Sequence, residues 1–217
     1  MSDSVKGSRR YHSPRRARQA AETRRAVLVA AREQLVGKGY AATTVADIAR
    51  AAGVAVDTVY ATIGRKPALL RELVEVALSG EDEPVPALRR DYVRRARAAP
   101  TAAEKLSAYA DGMVELQPRL APIFLALRDA AVTDADCAAL WTEIAERRAA
   151  NMRMFAADLR ATGELREDLS DGEVADIIWS MNAAEYYTLL VHDRGWTAQR
   201  YGAWLVDAWT RLLLDHR

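Results

Sequence analysis

The chain is poor in the residue types on which most catalytic and metal sites are built. Its 217 residues include one cysteine, Cys137, and three histidines, His12, His192 and His216. A single cysteine cannot form an intrachain disulfide, and it excludes zinc sites built on two or four thiolates. The histidines have no partners at the spacing of a metal site or a catalytic triad. We therefore expect no metal site, no cofactor and no catalytic residues.

Long apolar runs and glycine-rich phosphate loops are also missing. No run of about 18 apolar residues is available to form a membrane-spanning helix. The N-terminal segment MSDSVKGSRRYHSPRRARQ lacks the apolar core of a secretory signal. These absences favour a cytoplasmic protein that has no membrane partner.

The charge is unevenly distributed, although the formal net charge of the chain is only +1. Residues 1–66 contain 13 Lys and Arg against 5 Asp and Glu, a net charge of +8, and the remaining residues carry −7. This asymmetry indicates that only the N-terminal part meets a polyanion. Residues 1–16 predict a disordered basic arm, which is either an inert solvated tail or a segment whose arginines contact DNA phosphates or the minor groove.

Composition and periodicity predict an all-α protein. Half of the residues are apolar, only 7% are aromatic, and alanine and leucine dominate over β-branched runs. We predict helices over about 17–36, 44–52 and 55–62 and a fourth from 66, then a Gly- and Pro-containing linker at 80–86. The segments predicted to be helical beyond the linker are about 87–98, 101–132 with an interruption at Pro118 and Pro122, 134–161, 171–192 and 197–214.

The segment TTVADIARAAGVAVDTVYATIGRKPALL, residues 43–70, has the pattern of a helix-turn-helix. Ala49 is small enough for two helices to cross at the fifth position of the motif, and Gly53 can form the turn at the ninth. Thr44 and Asp47 predict a capping box at the start of the first helix of the pair. Such a module places its second helix in the major groove of DNA.

These residues resemble the N-terminal signature of the tetracycline-repressor (TetR) family of one-component transcriptional regulators. The shared pattern is T-T-x-x-x-I-A-x-x-A-G-V-x-x-x-T-x-Y with a lysine at the start of the next helix, and the resemblance covers about residues 27–73. It implies an N-terminal three-helix helix-turn-helix domain and a larger C-terminal helical domain for ligand binding and dimerisation. The boundaries we expect are 1–16 for the arm, 17–79 for the DNA-binding domain with its connecting fourth helix, and 87–217 for the C-terminal domain.

By position, the resemblance assigns DNA contacts to the second, third and fourth helices. Phosphate contacts are expected from hydroxyls and a lysine, and base reading from Val56 and Asp57. The expected DNA-binding residues are Thr43, Thr44, Val56, Asp57, Thr58, Tyr60, Thr62 and Lys66. Two of them have alternative interpretations, because Asp57 also suits the first turn of a helix and Tyr60 also suits a packed aromatic with its hydroxyl in water.

The sequence departs from the family pattern at four positions. Ala55 stands where a serine usually caps the third helix, and losing such a cap typically costs about 1 kcal/mol. Thr62 and Ile63 replace a common histidine–phenylalanine pair, and Pro67 replaces an acidic residue. Ile63 keeps the apolar character of its position, whereas Thr62 lacks the imidazole that would contact the DNA backbone.

The last two predicted helices are apolar on more than one face, as expected of helices that pack on a partner as well as on their own core. In the resembled family these helices form the dimer interface, and a homodimer suits DNA with two half-sites. The candidate interface residues are Trp179, Tyr186, Leu190, Trp204 and Trp209. The alternative is a single large monomeric core.

The middle helices enclose a ligand cavity in the resembled family, and Pro118 and Pro122 would break packing and leave room for one here. The candidate lining residues are Tyr109, Met113, Leu116, Phe124, Trp141, Met152, Phe155, Trp179 and Asn182, with Glu185 as a further polar candidate. Few charged residues clearly fall on inward faces, so we expect an apolar or aromatic small-molecule effector. The alternative for each residue is ordinary core packing.

We therefore expect a homodimeric, sequence-specific DNA-binding transcriptional regulator, a repressor that a small-molecule ligand releases from a palindromic operator, and not an enzyme. One alternative is a sequence-tolerant protein that coats double-stranded DNA without an inducer. The other is a helical enzyme or carrier in which the DNA-binding module is a bystander.

Overall fold

The computed structural model describes residues 14–80 and 85–215, and these residues form ten α-helices. The N-terminal unit contains α1 (Pro14–Gly37), α2 (Val45–Ala52), α3 (Val56–Thr62) and α4 (Lys66–Ser79). After a 3₁₀ turn (Ala87–Arg89), the C-terminal body contains α5 (Asp91–Ala98), α6 (Ala102–Ala131), α7 (Ala135–Arg160), α8 (Asp171–Met181), α9 (Ala184–Tyr187) and α10 (Ala198–Leu213). The predicted all-α class, with a small N-terminal and a larger C-terminal helical part, is confirmed.

The helix-turn-helix forms as its local sequence signals predict. The Thr44 hydroxyl accepts a hydrogen bond from the Asp47 backbone N–H, and the Asp47 carboxylate accepts one from the Thr44 N–H, which completes the capping box of α2. Gly53 ends α2 with φ of 66°, in the left-handed region that favours glycine. At the start of α3, Ala55 makes no side-chain capping bond, in agreement with the missing serine.

Helix α1 begins three residues earlier than the sequence predicts. Pro14 suits the first turn of a helix because its missing N–H has no partner there in any case. Arg15 and Arg16 therefore lie on α1 and not in a separate arm. The rest of the predicted arm and part of the linker lie outside the described residues, as do His12 and His216.

Helix α6 is the centre of the C-terminal body and packs against α4, α5, α7, α9 and α10. The predicted interruption is wrong, because α6 runs without a break through Pro118 and Pro122. Burial of one face on several neighbouring helices outweighs the two backbone hydrogen bonds that the prolines remove. Gly202 of α10 allows a close crossing with α6, since a Cβ there would lie 2.3 Å from Val114 Cγ2.

The prediction of a single helix over 171–192 is also wrong. Helix α8 ends at Met181, the short α9 follows, and residues 188–193 form a π-helical turn. The break occurs at Asn182, whose backbone carbonyl accepts a hydrogen bond of 2.6 Å from the side-chain amide of Gln117. In a continuous helix this carbonyl would accept from a backbone N–H one turn later. Within the described residues, no helix is long and apolar enough to cross a membrane.

Replacing Gly53 with alanine should destabilise the protein by about 1 kcal/mol, because an L residue is strained at this positive φ. No atom lies within 4 Å of the added methyl group, so the effect isolates backbone strain. Urea unfolding measures the change in the free energy of unfolding. Gly37→Ala is the matched control: its site is equally open but helical, and it should be neutral or stabilising. Equal effects of the two substitutions would contradict this account.

Candidate nucleic-acid interface and internal cavity

The N-terminal half of α3 presents its side chains to solvent. Val56 and Tyr60 are 37% and 48% exposed, and Asp57 is exposed as well. Val59, on the opposite face, is fully buried in the core of the N-terminal unit. This division follows from helical periodicity, since residues three and four apart share a face. The expected base-reading residues are therefore accessible to a macromolecule.

Of the expected phosphate contacts, Thr44 is exposed, whereas Thr43 is only 1% exposed. The Thr43 hydroxyl donates to the backbone carbonyls of Gln34 and Gly39 at 3.0 and 2.8 Å. The prediction that Thr43 contacts DNA is therefore wrong, because its hydroxyl is buried and engaged in fixing the end of α1 to the following loop.

Lys66 at the start of α4 also has a packing role that the sequence did not indicate. Its ammonium donates a hydrogen bond of 2.8 Å to the carbonyl of Tyr40 and lies 3.9 Å from the centre of the Tyr40 ring. One of the three donors of the half-buried Lys66 is thus engaged within the chain, and its contact with a DNA phosphate stays a prediction. Arg65, directly before it, is exposed and offers a cation at the N-terminus of α4.

The remaining expected contacts on α3 are less accessible. Thr58 is half-buried, and the hydroxyl of Thr62 donates to the Thr58 carbonyl at 2.6 Å. This bond occupies Thr62 within its own helix. Ile63 packs against the hydrophobic core and fills the apolar position. Tyr60 and Thr44 are therefore the expected phosphate contacts that the structure leaves exposed.

Three polar contacts join the N-terminal unit to α7. The Tyr40 hydroxyl donates to Asp134 at 2.6 Å, Arg71 pairs with Glu143 at 2.6 Å, and Arg147 pairs with Glu75 at 2.6 Å. The hydrogen bond from Tyr40 and the backbone N–H of Cys137 hold the pKa of Asp134 below its usual value. Burial and the neighbouring Asp134 raise the pKa of Tyr40, so its phenol stays protonated and can donate. These contacts link α7 to α4 and to the loop before α2.

The C-terminal body contains a cavity of about 750 Å³, within the range of small-molecule sites. It is bounded by α4, the segment before α5, α5, α6, α7 and the break after α8. Most of the residues that we expected to line the cavity do so, namely Tyr109, Met113, Leu116, Phe124, Met152, Phe155 and Asn182. The structure therefore places most of the predicted cavity residues together, drawn from α6, α7 and the break after α8.

Two residues predicted to line the cavity do not. Trp141 packs edge-on against Phe124, with ring centres 5.9 Å apart. Trp179 lies behind Arg148, whose guanidinium carbon is 4.9 Å from the centre of the indole ring. Glu185 is also absent from the lining and pairs with Arg128 at 2.7 Å. Trp141 and Trp179 therefore pack on wall residues, whereas Glu185 forms an ion pair away from the wall.

Arg148 and Gln117 are among several polar wall residues that the sequence did not predict. Both bind Asn182: Arg148 Nη2 donates to Asn182 Oδ1 at 2.6 Å, and Gln117 donates to the Asn182 carbonyl. The Asn182 amide donates to the Tyr109 hydroxyl at 2.8 Å. We call Tyr109, Gln117, Arg148 and Asn182 the polar end of the cavity. The expectation of few inward charges is corrected, since Arg148 is a charged wall residue.

The candidate dimer residues divide into exposed and buried side chains. Trp204 is 39% exposed, and its indole N–H donates to the hydroxyl of the half-buried Tyr186 at 2.8 Å. Leu190 and Trp179 are half-buried. Trp209 is fully buried and contacts the Tyr109 ring at 5.9 Å between centres, so assigning it to a partner surface is wrong.

The exposed face of α10 carries Trp204 and Leu212, two turns apart, while Tyr201, Leu205 and Trp209 face the core. Leu189, three residues after Tyr186, is 56% exposed. In the part of the chain that the structure describes, no cluster of three His, Cys, Asp or Glu could hold a metal ion.

Comparison with known proteins identifies the N-terminal unit. Residues 27–73 match the family described as "Bacterial regulatory proteins, tetR family", which confirms the resemblance seen in the sequence. This match covers α2, α3 and the adjoining parts of α1 and α4. No match was found among curated proteins.

Solved structures of regulators share the fold of nearly the whole chain. NalD, the secondary repressor of the MexAB-OprM multidrug efflux pump in Pseudomonas aeruginosa, is 18% identical with a TM-score of 0.68, over 91% of this chain and 98% of that chain. The fatty acid degradation regulator FadR from Bacillus halodurans is 18% identical with a TM-score of 0.71, over 90% and 97%. A protein from Saccharomonospora viridis described as a transcriptional regulator, solved with choline, is 19% identical with a TM-score of 0.67, over 90% and 100%.

Replacing Asp134 with asparagine should lower the free energy of unfolding by about 1 kcal/mol at neutral pH, since a charge-assisted hydrogen bond from Tyr40 is lost. Because folding lowers the pKa of this carboxyl, its stabilisation is complete above the usual pKa of about 3.9 and is lost as the pH falls through the lower folded value. Urea unfolding of both proteins at several pH values measures the difference. Asp136→Asn, exposed in the same turn, is the control. A difference that does not shrink in acid would contradict this assignment.

Proposed function

We propose that this chain, whose residues 27–73 form a TetR-type N-terminal domain, is a homodimeric repressor that a small molecule releases from a palindromic operator. The observation that carries the proposal is the exposed N-terminal half of α3 on a capped helix-turn-helix joined through α7 to an internal cavity. The DNA-bound protein and the effector-bound protein are two arrangements of the same dimer. We place its action in the cytoplasm and assign it no catalytic step.

The distribution of charge supports DNA as the polyanion that the N-terminal unit meets. Arg15, Arg16 and Arg18 are exposed on the first turns of α1, and Arg65 is exposed at the start of α4. Contacts of this kind hold a protein on DNA without reading its sequence. Val56 and Asp57 at the start of α3 are the side chains proposed to read base edges in the major groove.

The cavity supports control by a small molecule. Structures of the same fold contain choline in one protein and triclosan in another, SmeT. In this chain the cavity wall includes Arg148 and Met152 of α7, and the same helix contacts the N-terminal unit through Asp134, Glu143 and Arg147. We propose that α7 has one position in the DNA-bound dimer and another in the effector-bound dimer. The effector lowers the DNA affinity at most by the ratio of its own affinities for these two arrangements.

The exposed apolar surface formed by Tyr186, Leu189, Trp204 and Leu212 is proposed to bind a second copy of the chain. A twofold contact presents two copies of α3 to the DNA, and half-sites on one face of DNA lie about 34–36 Å apart. Trp179, Tyr186 and Leu190 stay candidates for this interface from the sequence, whereas Trp209 does not.

Selection of genomic DNA fragments by the purified protein tests the function directly. At about 150 mM salt, weak binding through phosphates alone is suppressed. Enrichment of one short palindrome at a few sites is the expected result. Uniform recovery of fragments would favour the DNA-coating alternative, and no recovery by a folded dimer would favour the enzyme or carrier alternative.

Replacing Tyr60 with phenylalanine should weaken binding to the enriched fragment about ten-fold, because the exposed hydroxyl can no longer donate to a charged phosphate. The loss should be similar on every fragment sequence, since phosphate contacts carry no base information. Gel-shift titration gives the Kd. Arg153→Gln, exposed on α7 away from α3, is the control and should leave the Kd unchanged. Unaltered binding by Tyr60→Phe would remove Tyr60 from the interface.

Replacing Leu189 with glutamate should convert the dimer into a monomer at micromolar concentration, because each copy would bury an unpaired carboxylate in an apolar interface. Light scattering coupled to size-exclusion chromatography measures the mass. Val132→Glu is the matched control, since Val132 is 83% exposed beside the N-terminus of α7. A Leu189→Glu dimer as stable as the wild type would refute the proposed surface.

A further inference from the structure

We propose that the effector is an amphipathic carboxylate whose acid group binds Arg148 and which carries a hydrogen-bond donor close to the acid. This inference rests on the proposed function, since it names the class of molecule that enters the same cavity. It replaces the apolar or aromatic effector expected from the sequence. Its basis is the set of hydrogen bonds at the polar end of the cavity.

Arg148 holds a positive charge at the cavity wall without a carboxylate partner among the described residues. Its Nη2 donates to the Trp179 carbonyl at 3.1 Å and to Asn182 Oδ1 at 2.6 Å, which are both neutral acceptors. Its guanidinium carbon lies 4.9 Å from the centre of the Trp179 ring and 6.0 Å from that of Phe124. The aromatic rings and these bonds orient the guanidinium, while Nε and Nη1 have no acceptor within the described chain.

The other charges of the cavity wall do not supply the missing anion. Glu75 pairs with Arg147 at 2.6 Å, and Asp158 pairs with Lys105 at 2.9 Å. Arginines 90 and 97 add two further cations to the wall. Burial lowers the pKa of Arg148, but an arginine stays protonated in proteins. The wall is therefore positive overall and suits an anion better than a neutral or cationic molecule.

Gln117 specifies a second polar group on the ligand. Its side chain is only 2% exposed, and its amide nitrogen donates to the Asn182 carbonyl at 2.6 Å. A carbonyl only accepts hydrogen bonds, so this contact fixes the orientation of the amide. Gln117 Oε1 is then a buried acceptor without a partner in the described structure. Leaving such a group unpaired is costly, and a hydroxyl or N–H on the ligand would satisfy it.

Asn182 brings these two requirements together. Arg148 binds its side chain and Gln117 binds its backbone carbonyl, so the free donors of Arg148 and the free acceptor of Gln117 flank one residue. The remaining wall is apolar: it includes Met113, Leu116 and Phe155. A carboxylate with an adjacent hydroxyl and an alkyl or aromatic body matches this arrangement.

Isothermal titration of the full-length protein with three matched probes tests the proposal without DNA. The probes are 3-hydroxydecanoate, decanoate and 1-decanol, which share one alkyl chain and differ in the polar group. We expect both carboxylates to bind at least about ten-fold more tightly than the alcohol, because only they pair with Arg148. We expect 3-hydroxydecanoate to bind more tightly than decanoate. Alcohol binding as tight as carboxylate binding would overturn the proposal.

Substitutions at the polar end identify the residues responsible. Arg148→Gln should remove the preference for carboxylates, and Gln117→Met should remove the advantage of the hydroxyl. Arg153→Gln, exposed on the same helix and outside the wall, should change neither. Carboxylate binding by Arg148→Gln equal to that of the wild type would also overturn the proposal. An unchanged hydroxyl advantage in Gln117→Met would remove the donor requirement.

Loss of Arg148 could unfold the region around Asn182, so Arg148→Lys provides a second variant. It keeps the charge and should keep a carboxylate preference smaller than that of the wild type. Thermal unfolding verifies that each variant is folded. The ligand class is decided by the affinities of the wild-type protein for decanoate and 1-decanol, which do not depend on any variant. The titration contains no DNA, so a negative titration would overturn the ligand class without contradicting operator binding. A negative operator selection would contradict the proposed function without contradicting the ligand class.

Discussion

The contact of Tyr40 with Lys66 and Asp134 is the interaction on which the arrangement of the two parts depends. The Tyr40 carbonyl and ring bind the Lys66 ammonium at the start of α4, and its hydroxyl binds Asp134 at the start of α7. One residue in the loop before α2 thereby joins the helix-turn-helix, the connecting helix and the C-terminal body. Because three elements share this residue, a change in the position of one alters the contacts of the other two.

Helix α7 connects this junction to the cavity. Its N-terminal half carries the contacts to the N-terminal unit, and its C-terminal half supplies Arg148, Met152 and Phe155 to the cavity. The polar end of the cavity is built where α8 breaks, at Asn182, because the carbonyl freed from helical bonding accepts from Gln117 instead. The same local irregularity therefore ends a helix and creates the unpaired acceptor that a ligand can satisfy.

Features set by neighbouring residues could be predicted from the sequence, and features set by distant partners could not. The capping box of Thr44 and the turn at Gly53 depend on residues a few positions away, and both form as predicted. Thr43 and Lys66 occupy motif positions, but their bonds to Gln34 and Tyr40 depend on how α1 and α4 pack. Most of the cavity residues proposed from the family resemblance do line the cavity, but they are a minority of its wall. Arg148, Gln117, the continuity of α6 and the burial of Trp209 depend on which faces meet in three dimensions.

The affinity of the protein for its selected operator, with and without saturating 3-hydroxydecanoate, tests the coupling of the two sites most directly. If occupation of the cavity displaces α7, the operator Kd of the wild type should rise by a factor of about 5 to 150, the usual range for coupled sites. Tyr40→Phe, which lacks the hydroxyl that binds Asp134, should show a smaller factor. An operator Kd that is the same with the cavity empty and occupied would contradict the account.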